Sequence, residues 1–261
     1  MGKLLKYELR KLFTSKFLYI ITAIFTVDLV LRAVSPANDR SLSSLVNSLL
    51  YGFFALYVLF VGAWIAPTFF SPDYSHGGSL PNVVSRGFSR VEVFIAKYVS
   101  LIVLHVFAFA VSFLLGFIIG LPLAKSASGA VMSGVQINNA LKMVISCFAT
   151  LSLQVFFSVT CKKKAAVFFS ILSTNPFLAL IIYLIPLAST GKFVTWLSNF
   201  IQGWYAPFAY MKVVIATVIE GIGASSVIKI DFSHLVLSSI ILFALSFGGS
   251  IWVVSRKEIS K

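Results

Sequence analysis

Ionisable side chains inside the apolar stretches are the first residues in this sequence that could do chemistry. Asp28 and Arg32 lie four residues apart in one apolar run, and His105 lies in another. A charge or imidazole in lipid is costly, so each is a candidate for catalysis or transport. Asp28 and Arg32 share one helix face, which favours a structural pair over a polar spot facing a substrate. For His105, a hydrogen bond to a neighbouring helix is preferred over a catalytic role.

The sequence lacks the short motifs that bind nucleotides or activate nucleophiles. Gly191-Lys192 is followed by Phe193 and has no upstream glycine at Walker A spacing. The zinc-protease motif H-E-x-x-H and the nucleophile elbow G-x-S-x-G are both absent. Cys147 and Cys161 have no C-x-x-C spacing and no histidine cluster, which indicates packing residues. We therefore expect no catalytic residue, metal site or cofactor in this chain.

The composition describes the environment of these residues. Of 261 residues, 59% are hydrophobic and 11% are charged, whereas soluble domains carry about a quarter charged residues. This composition excludes an ordinary soluble enzyme, a disordered regulator and a disulfide scaffold. A protein embedded in lipid is the expected class.

Six apolar stretches approach the length of about 20 residues that a helix needs to cross a bilayer. They are Phe17–Val34, Leu45–Phe70, Val93–Leu121, Met143–Thr160, Ala165–Leu187 and Leu235–Val254. Backbone groups in lipid must bond internally, so these runs are predicted to be helices. The expected fold is an all-α polytopic membrane protein with six spans, forming one transmembrane domain over residues 1–261.

The distribution of positive charge predicts the orientation. Lys and Arg total 21 against 8 Asp and Glu. With the amino terminus inside, 14 of the 21 lie in cytoplasmic segments and 7 outside. This bias predicts a multi-pass protein of the bacterial cell membrane with both termini cytoplasmic. The basic residues form short clusters between apolar runs, so nucleic-acid binding is not expected.

The amino-terminal segment Met1–Lys16 has the pattern of an amphipathic helix. Its predicted apolar face consists of Leu5, Leu9, Leu12 and Phe13. Basic residues on the rest of the helix are candidates for contact with inner headgroups: Lys6, Arg10 and Lys11. Such a helix lies along the membrane surface. The alternative is a soluble positive leader that only fixes the orientation.

A long outer segment, residues 188–234, precedes the last span. Aromatic residues recur in it at helical spacing: Phe193, Trp196, Phe200 and Trp204. This pattern predicts an interfacial helix with tryptophan at headgroup depth. The apolar stretch Pro207–Ile219 is too short to cross and is expected to be re-entrant or to lie against the bundle. Together these elements either form an outer gate or cover the bundle, and both interpretations stay open.

The longest cytoplasmic segment, residues 71–92, lies between the second and third spans. Pro72 and Gly77-Gly78 are expected to break the incoming helix, and Gly87 is expected to end a short apolar stretch. Its basic residues, with Lys97 just beyond, are expected near anionic headgroups. A short helix held between two spans would transmit a push from a soluble partner.

This segment resembles the coupling segment of ATP-binding-cassette (ABC) exporter permeases. The resemblance rests on an acidic residue, a glycine pair, Ser-Arg-Gly-x-Ser-Arg over residues 85–90 and a later Ala-Lys at 96–97. Family members more often have Glu in the acidic position, where this chain has Asp73. The residues that would contact the ATPase are Asp73, Gly77, Gly78, Leu80, Val84, Arg86, Phe88 and Arg90.

The resemblance implies a separate cytoplasmic ATPase dimer that binds ATP and Mg, and a second permease copy, with a homodimer expected. Aromatic-rich spans with few charges favour an amphipathic peptide or a lipophilic drug as cargo. Two other functions remain as alternatives. One is an intramembrane enzyme that uses His105, and the other is an ion-coupled carrier that uses Asp28.

Overall fold

The computed structural model describes residues 2–34, 45–46, 49, 63–74, 83–84, 86–123, 134–174, 178, 181–182, 184, 191–205 and 232–256. Every regular element in this part of the chain is a helix, which confirms the all-helical class. The helices are α1 (Gly2–Phe13), α2 (Lys16–Val34), α3 (Ala63–Tyr74), α4 (Arg90–Gly120, followed by a 3-10 turn at Leu121–Leu123), α5 (Gly134–Thr160), α6 (Lys163–Ser173), α7 (Lys192–Trp204) and α8 (Phe232–Arg256).

The chain forms two compact units. The first contains Met1–Tyr57 and Ser79–Ala140, and the second contains Val58–Gly78 and Leu141–Lys261. The first unit holds α1, α2 and α4, and the second holds α3, α6, α7, α8 and most of α5.

Two helices, α4 and α8, are long and apolar enough to cross a membrane. In the most apolar window of each, 22% of the residues are buried. The central helix of a soluble protein would bury most of such a window, so this exposed apolar surface suits contact with lipid. The bounds of α2, α4 and α8 agree with three of the predicted spans. The predicted span Leu45–Phe70 lies largely outside the described residues.

In the first unit, α4 is buried broadly in its first turns and through one narrow stripe from Leu104 onward. Every fourth residue along this helix is buried, and most of these residues are small: Ala96, Ser100, Leu104, Ala108, Ser112, Gly116 and Gly120. A stripe of small residues lets another helix approach closely without a polar contact. A Cβ added at Gly116 would lie 3.5 Å from Leu29 Cβ and 2.7 Å from Leu49 Cδ2.

Helices α2 and α4 run in the same direction. Thr26 Oγ1 on α2 lies 3.4 Å from Ser112 Oγ on α4, and one turn further along each chain Leu29 meets Gly116. Parallel neighbours require the connecting chain to return to the starting end.

In the second unit, α3 packs against α6 and α7 packs against α8. Ser71 Oγ on α3 donates a hydrogen bond to the backbone oxygen of Ser158 on α5, at 3.0 Å. Helix α3 continues through Pro72 to Tyr74, so the prediction that Pro72 breaks it was wrong. Because Phe70, Ser71 and Tyr74 are buried, packing holds this last turn although proline removes one backbone donor.

Buried hydroxyl groups are frequent in the second unit, and most bond to their own helix. On α5, Thr150 Oγ1 donates to Ser146 O at 2.8 Å and Ser158 Oγ donates to Gln154 O at 2.6 Å. On α8, Ser250 Oγ donates to Ser246 O at 2.7 Å. Bonds to the carbonyl one turn earlier allow a hydroxyl to be buried without a partner from another helix.

Candidate functional site

The inner segment enters α4 through a sharp turn. Val83 and Val84 form a helical turn, Arg86 N donates to Val83 O at 3.2 Å, and Gly87 N donates to Val84 O at 2.9 Å. Gly87 has φ 88°, a left-handed conformation that glycine adopts without strain. The predicted stop at Gly87 agrees with this turn.

Helix α4 begins with a complete capping box. Ser89 Oγ accepts a hydrogen bond from Glu92 N at 3.2 Å, and Ser89 N donates to Glu92 Oε2 at 2.8 Å. Two backbone donors that would otherwise lack partners are satisfied, so the first residue of α4 is well defined. The sequence interpretation missed this role, although Ser-x-x-Glu before an apolar run is its usual signature.

The predicted ATPase-contact residues fall in different places. Val84, Arg86, Phe88 and Arg90 follow one another through the turn and into α4, with Arg86 exposed and Phe88 partly buried. The backbone of Asp73 lies in the last turn of α3, in the second unit. Gly77, Gly78 and Leu80 lie outside the described residues.

A buried ion pair connects α1 to α4. Lys97 Nζ lies 3.2 Å from Glu8 Oε2, and the two side chains are 1% and 2% exposed. The expectation that Lys97 lies among lipid headgroups was therefore wrong, since its charge is neutralised inside the protein. Removing one partner of such a pair leaves an isolated buried charge, at a cost of about 3–5 kcal/mol.

This pair also changes the interpretation of α1. The buried face is Leu4, Glu8 and Leu12, whereas Leu5 and Leu9 of the predicted apolar face are partly exposed. Glu8 is the only acidic residue among the first 27, and it lies one turn from a leucine on either side. The sequence feature that could have predicted a buried ion pair is a single acidic residue in a row of leucines. The basic residues Lys6, Arg10 and Lys11 are exposed, as expected.

Helix α1 ends where hydroxyl side chains bond to its last carbonyls. Thr14 Oγ1 donates to Arg10 O at 2.9 Å, and α2 begins at Lys16. Next to this junction, the rings of Phe13 and Phe107 meet edge to face at 5.2 Å. Helix α1 therefore contacts α4 at two positions, ten residues apart on α4.

The intramembrane polar candidates lie on α2 and α4. His105 Nδ1 lies 2.7 Å from Leu101 O, one turn earlier in α4, so its own helix provides a partner for this atom, and the predicted bond to a neighbouring helix stays a prediction. Asp28 is partly buried on α2. The side chain of Arg32 lies outside the described residues, and its pairing with Asp28 stays a prediction. Among the described residues, no three His, Cys, Asp or Glu side chains form a group that could hold a metal ion.

The predicted outer helix is present as α7, with its polar side toward the protein. Ser198 is buried and donates a hydrogen bond to Ile182 O. On the opposite side, Phe193, Trp196 and Phe200 are 69%, 58% and 47% exposed. Their rings stack in series at 6.0 and 5.6 Å. An outward aromatic face is typical of a helix at a membrane interface.

Tyr205 fixes the end of α7. Its hydroxyl donates to the backbone oxygen of Ser173, the last residue of α6, at 3.1 Å. Burial raises the pKa of Tyr205 to about 12, because the phenolate would lose its hydration. Trp204 ends α7, and its side chain lies outside the described residues, as do residues 207–219.

Similarity to other proteins gives no assignment for these sites. No protein-family model, no curated protein and no solved structure matches this chain.

Proposed function

We propose that this chain is the membrane-spanning permease subunit of an ABC exporter in a bacterial cell membrane. In this proposal it has six spans with both termini cytoplasmic, and it is not itself an enzyme. A separate cytoplasmic ATPase dimer binds ATP and Mg. A second permease copy completes the pathway, and the cargo is an amphipathic peptide or a lipophilic drug.

The topology is supported by the direction of the helices in the first unit. If α4 crosses the bilayer, then α2, which lies parallel beside it, crosses in the same direction. The intervening chain must then cross back, and residues 45–70 are the apolar run available for that crossing. At the end of α8, Arg256 lies 4.8 Å above the ring of Trp252, which suits a basic inner end beside an interfacial tryptophan.

The observation that carries the proposal is the short join between the inner segment and α4. Only Gly87 and Phe88 separate Arg86 from the capping box of Ser89 and Glu92, so Arg86 lies close to the well-defined start of a 31-residue helix. A force applied to this turn would tilt α4 rather than unwind its end. A coupling segment requires this property.

Such a force can change the pathway only under one energetic condition. The ATP-bound and ATP-free ATPase must prefer different permease conformations, because equal affinity for both would shift neither population. Arg86 is exposed in the turn and can form an ion pair with an acidic surface on the ATPase. Its contribution would differ between the two states if that surface moves on ATP binding.

The cargo class is supported by how polar atoms are buried. Several hydroxyl groups of α5 and α8, such as those of Thr150 and Ser250, bond to their own helices, so they have less capacity to bind a hydrated ion or sugar. Large apolar side chains such as Phe107 and Leu114 are exposed on α4. An apolar or amphipathic cargo needs few fixed polar ligands.

The test is ATP-dependent export by membrane vesicles that contain the chain with its co-purifying ATPase. Arg86→Glu and Asp73→Lys are expected to abolish export while leaving the protein in the membrane. Lys164→Glu makes the same charge change as Arg86→Glu at another exposed position and is the control. Normal export by the Arg86 and Asp73 variants would refute the coupling assignment.

The same vesicles distinguish the alternatives. Activity that continues without ATP but stops in His105→Ala would indicate an intramembrane enzyme. Transport that needs a proton gradient and stops in Asp28→Asn would indicate an ion-coupled carrier. The permease proposal requires export that stops without ATP and survives loss of the gradient.

A further inference from the structure

The buried ion pair lies close to the point where a force on the inner segment would enter α4. Lys97 is eight residues after Ser89, or about 12 Å along a helix. It therefore lies at the end of the second turn of α4. Helix α1, through Glu8, is fastened to this part of α4.

Helix α1 depends on this contact for its position. Its buried residues form one row, Leu4, Glu8 and Leu12, with the charge in the middle. A helix of 12 residues is too short to be stable alone in water. Its exposed residues form two rows, which include Lys6, Arg10 and Lys11, and face away from the unit.

The pair also limits relative motion of the two helices. Two buried charges 3.2 Å apart attract strongly in a medium that screens them weakly, and separating them would leave both without compensation. Sliding or rotation of α1 against α4 is therefore unfavourable unless water enters. The two helices should move as one body.

We propose that Glu8 and Lys97 are positioning residues that make α1 part of the coupling apparatus, so that α1 and the start of α4 move together when the ATPase closes. This inference rests on the proposed function. It assigns to the basic face of α1 a mechanical role beyond fixing the orientation of the chain. Neither residue needs to contact the ATPase or the cargo.

The first test of this proposal does not need the ATPase. Leu4→Cys, at a site 4% exposed, reports undocking of α1 through its rate of reaction with a maleimide in membrane vesicles. Cys147 and Cys161 are first replaced by Ser. Glu8→Gln or Lys97→Met should raise the rate by more than about 100-fold, the size expected when a buried charge loses its partner. Tyr7→Cys, at an exposed site, should react equally in all variants.

Rescue variants distinguish loss of the ion pair from general misfolding of the protein. The exchanged pair Glu8→Lys with Lys97→Glu restores opposite charges and should return the Leu4→Cys rate toward that of the parent protein. Lys164→Met, which removes an exposed charge, should leave the rate unchanged. Unchanged protection of Leu4→Cys in both single variants would show that the pair does not hold α1.

The second measurement is export per ATP hydrolysed by the complex with its co-purifying ATPase. The single variants should retain ATPase binding and hydrolysis but export about tenfold less cargo per ATP, and the exchanged pair should recover export. If α1 undocks in the single variants but export per ATP is unchanged, the proposed coupling role is refuted. If the parent protein shows no ATP-dependent export at all, the proposed function fails, while the maleimide rates still report whether the pair holds α1.

Discussion

Polar groups are buried in two contrasting ways, of which the ion pair of the first unit and the helix hydroxyls of the second unit are examples. In the first unit, Glu8 and Lys97 form an ion pair between two helices. In the second unit, hydroxyls such as those of Thr150 and Ser250 bond one turn back along their own helices. An ion pair ties distant parts of the chain together, whereas a bond within one helix ties nothing beyond that helix. A buried polar group can therefore either join two helices directly or bond within one helix, in which case the contact between helices depends on packing.

This difference has a mechanical consequence. Helices of the second unit are held by side-chain packing, such as Phe156 against Gly249, and by single bonds such as Ser71 to Ser158. Packing and single bonds resist sliding less than a buried charge pair does. The three predictions that follow test whether the ion pair contributes most to stability, close packing less and single hydrogen bonds least.

The largest effect is expected at the ion pair. Lys97→Met should destabilise the protein by about 3–5 kcal/mol, because the buried Glu8 carboxyl would lose its compensating charge. In a chain of this size we expect the midpoint of thermal unfolding in detergent to fall by about 10 °C.

The matched control for this prediction removes both charges. Glu8→Leu combined with Lys97→Met should recover most of the loss, because no isolated charge remains and the space is filled by apolar atoms. A double variant as unstable as the single one would mean that the shape of the two side chains matters more than their charges.

An intermediate effect is expected where α8 passes Phe156. A Cβ at Gly249 would lie 3.0 Å from the ring, whereas one at Gly248 would meet nothing within 4 Å. Gly249→Val should therefore lower stability by about 1–3 kcal/mol relative to Gly248→Val, since an overpacked contact must shift. The two variants have the same change in helix propensity, and equal unfolding midpoints would exclude close packing at this point.

The smallest effect is expected at single hydroxyls. Ser71→Ala removes a bond between α3 and α5, at a cost of about 0.6 kcal/mol, the average in membrane bundles. Ser158→Ala removes a bond within α5, and its backbone oxygen still accepts from Ser71, so we expect almost no change. A larger loss for Ser158→Ala would show that bonds within one helix contribute more than this comparison assumes.

Several elements could be predicted because their signal is local. The bounds of α2 and α8 were predicted to within a few residues from long apolar runs, because the hydrophobicity of each run alone indicates a lipid environment. Aromatic spacing gave α7, because helical periodicity is visible in 12 residues. The glycine stop at Gly87 was likewise readable from residue type.

Other features could not be predicted because they depend on neighbours. The continuation of α3 through Pro72 depends on the burial of Phe70 and Tyr74, which no local rule for proline includes. The buried face of α1 depends on a residue 89 positions away in the sequence. Of the proposed coupling residues, the structure places four in order along one turn and α4, and it places the backbone of Asp73 on α3.

The sequence by itself determined that the chain is helical and suited to lipid, because residue type alone sets hydrophobicity, helical period and the position of breaks. Only the tertiary structure decided that Lys97 is neutralised by Glu8, and not by headgroups, and that α2 and α4 run parallel. The physical reason is distance. Hydrophobicity acts on each residue where it stands, whereas a charge pair or a small-residue contact exists only once folding brings two remote segments together.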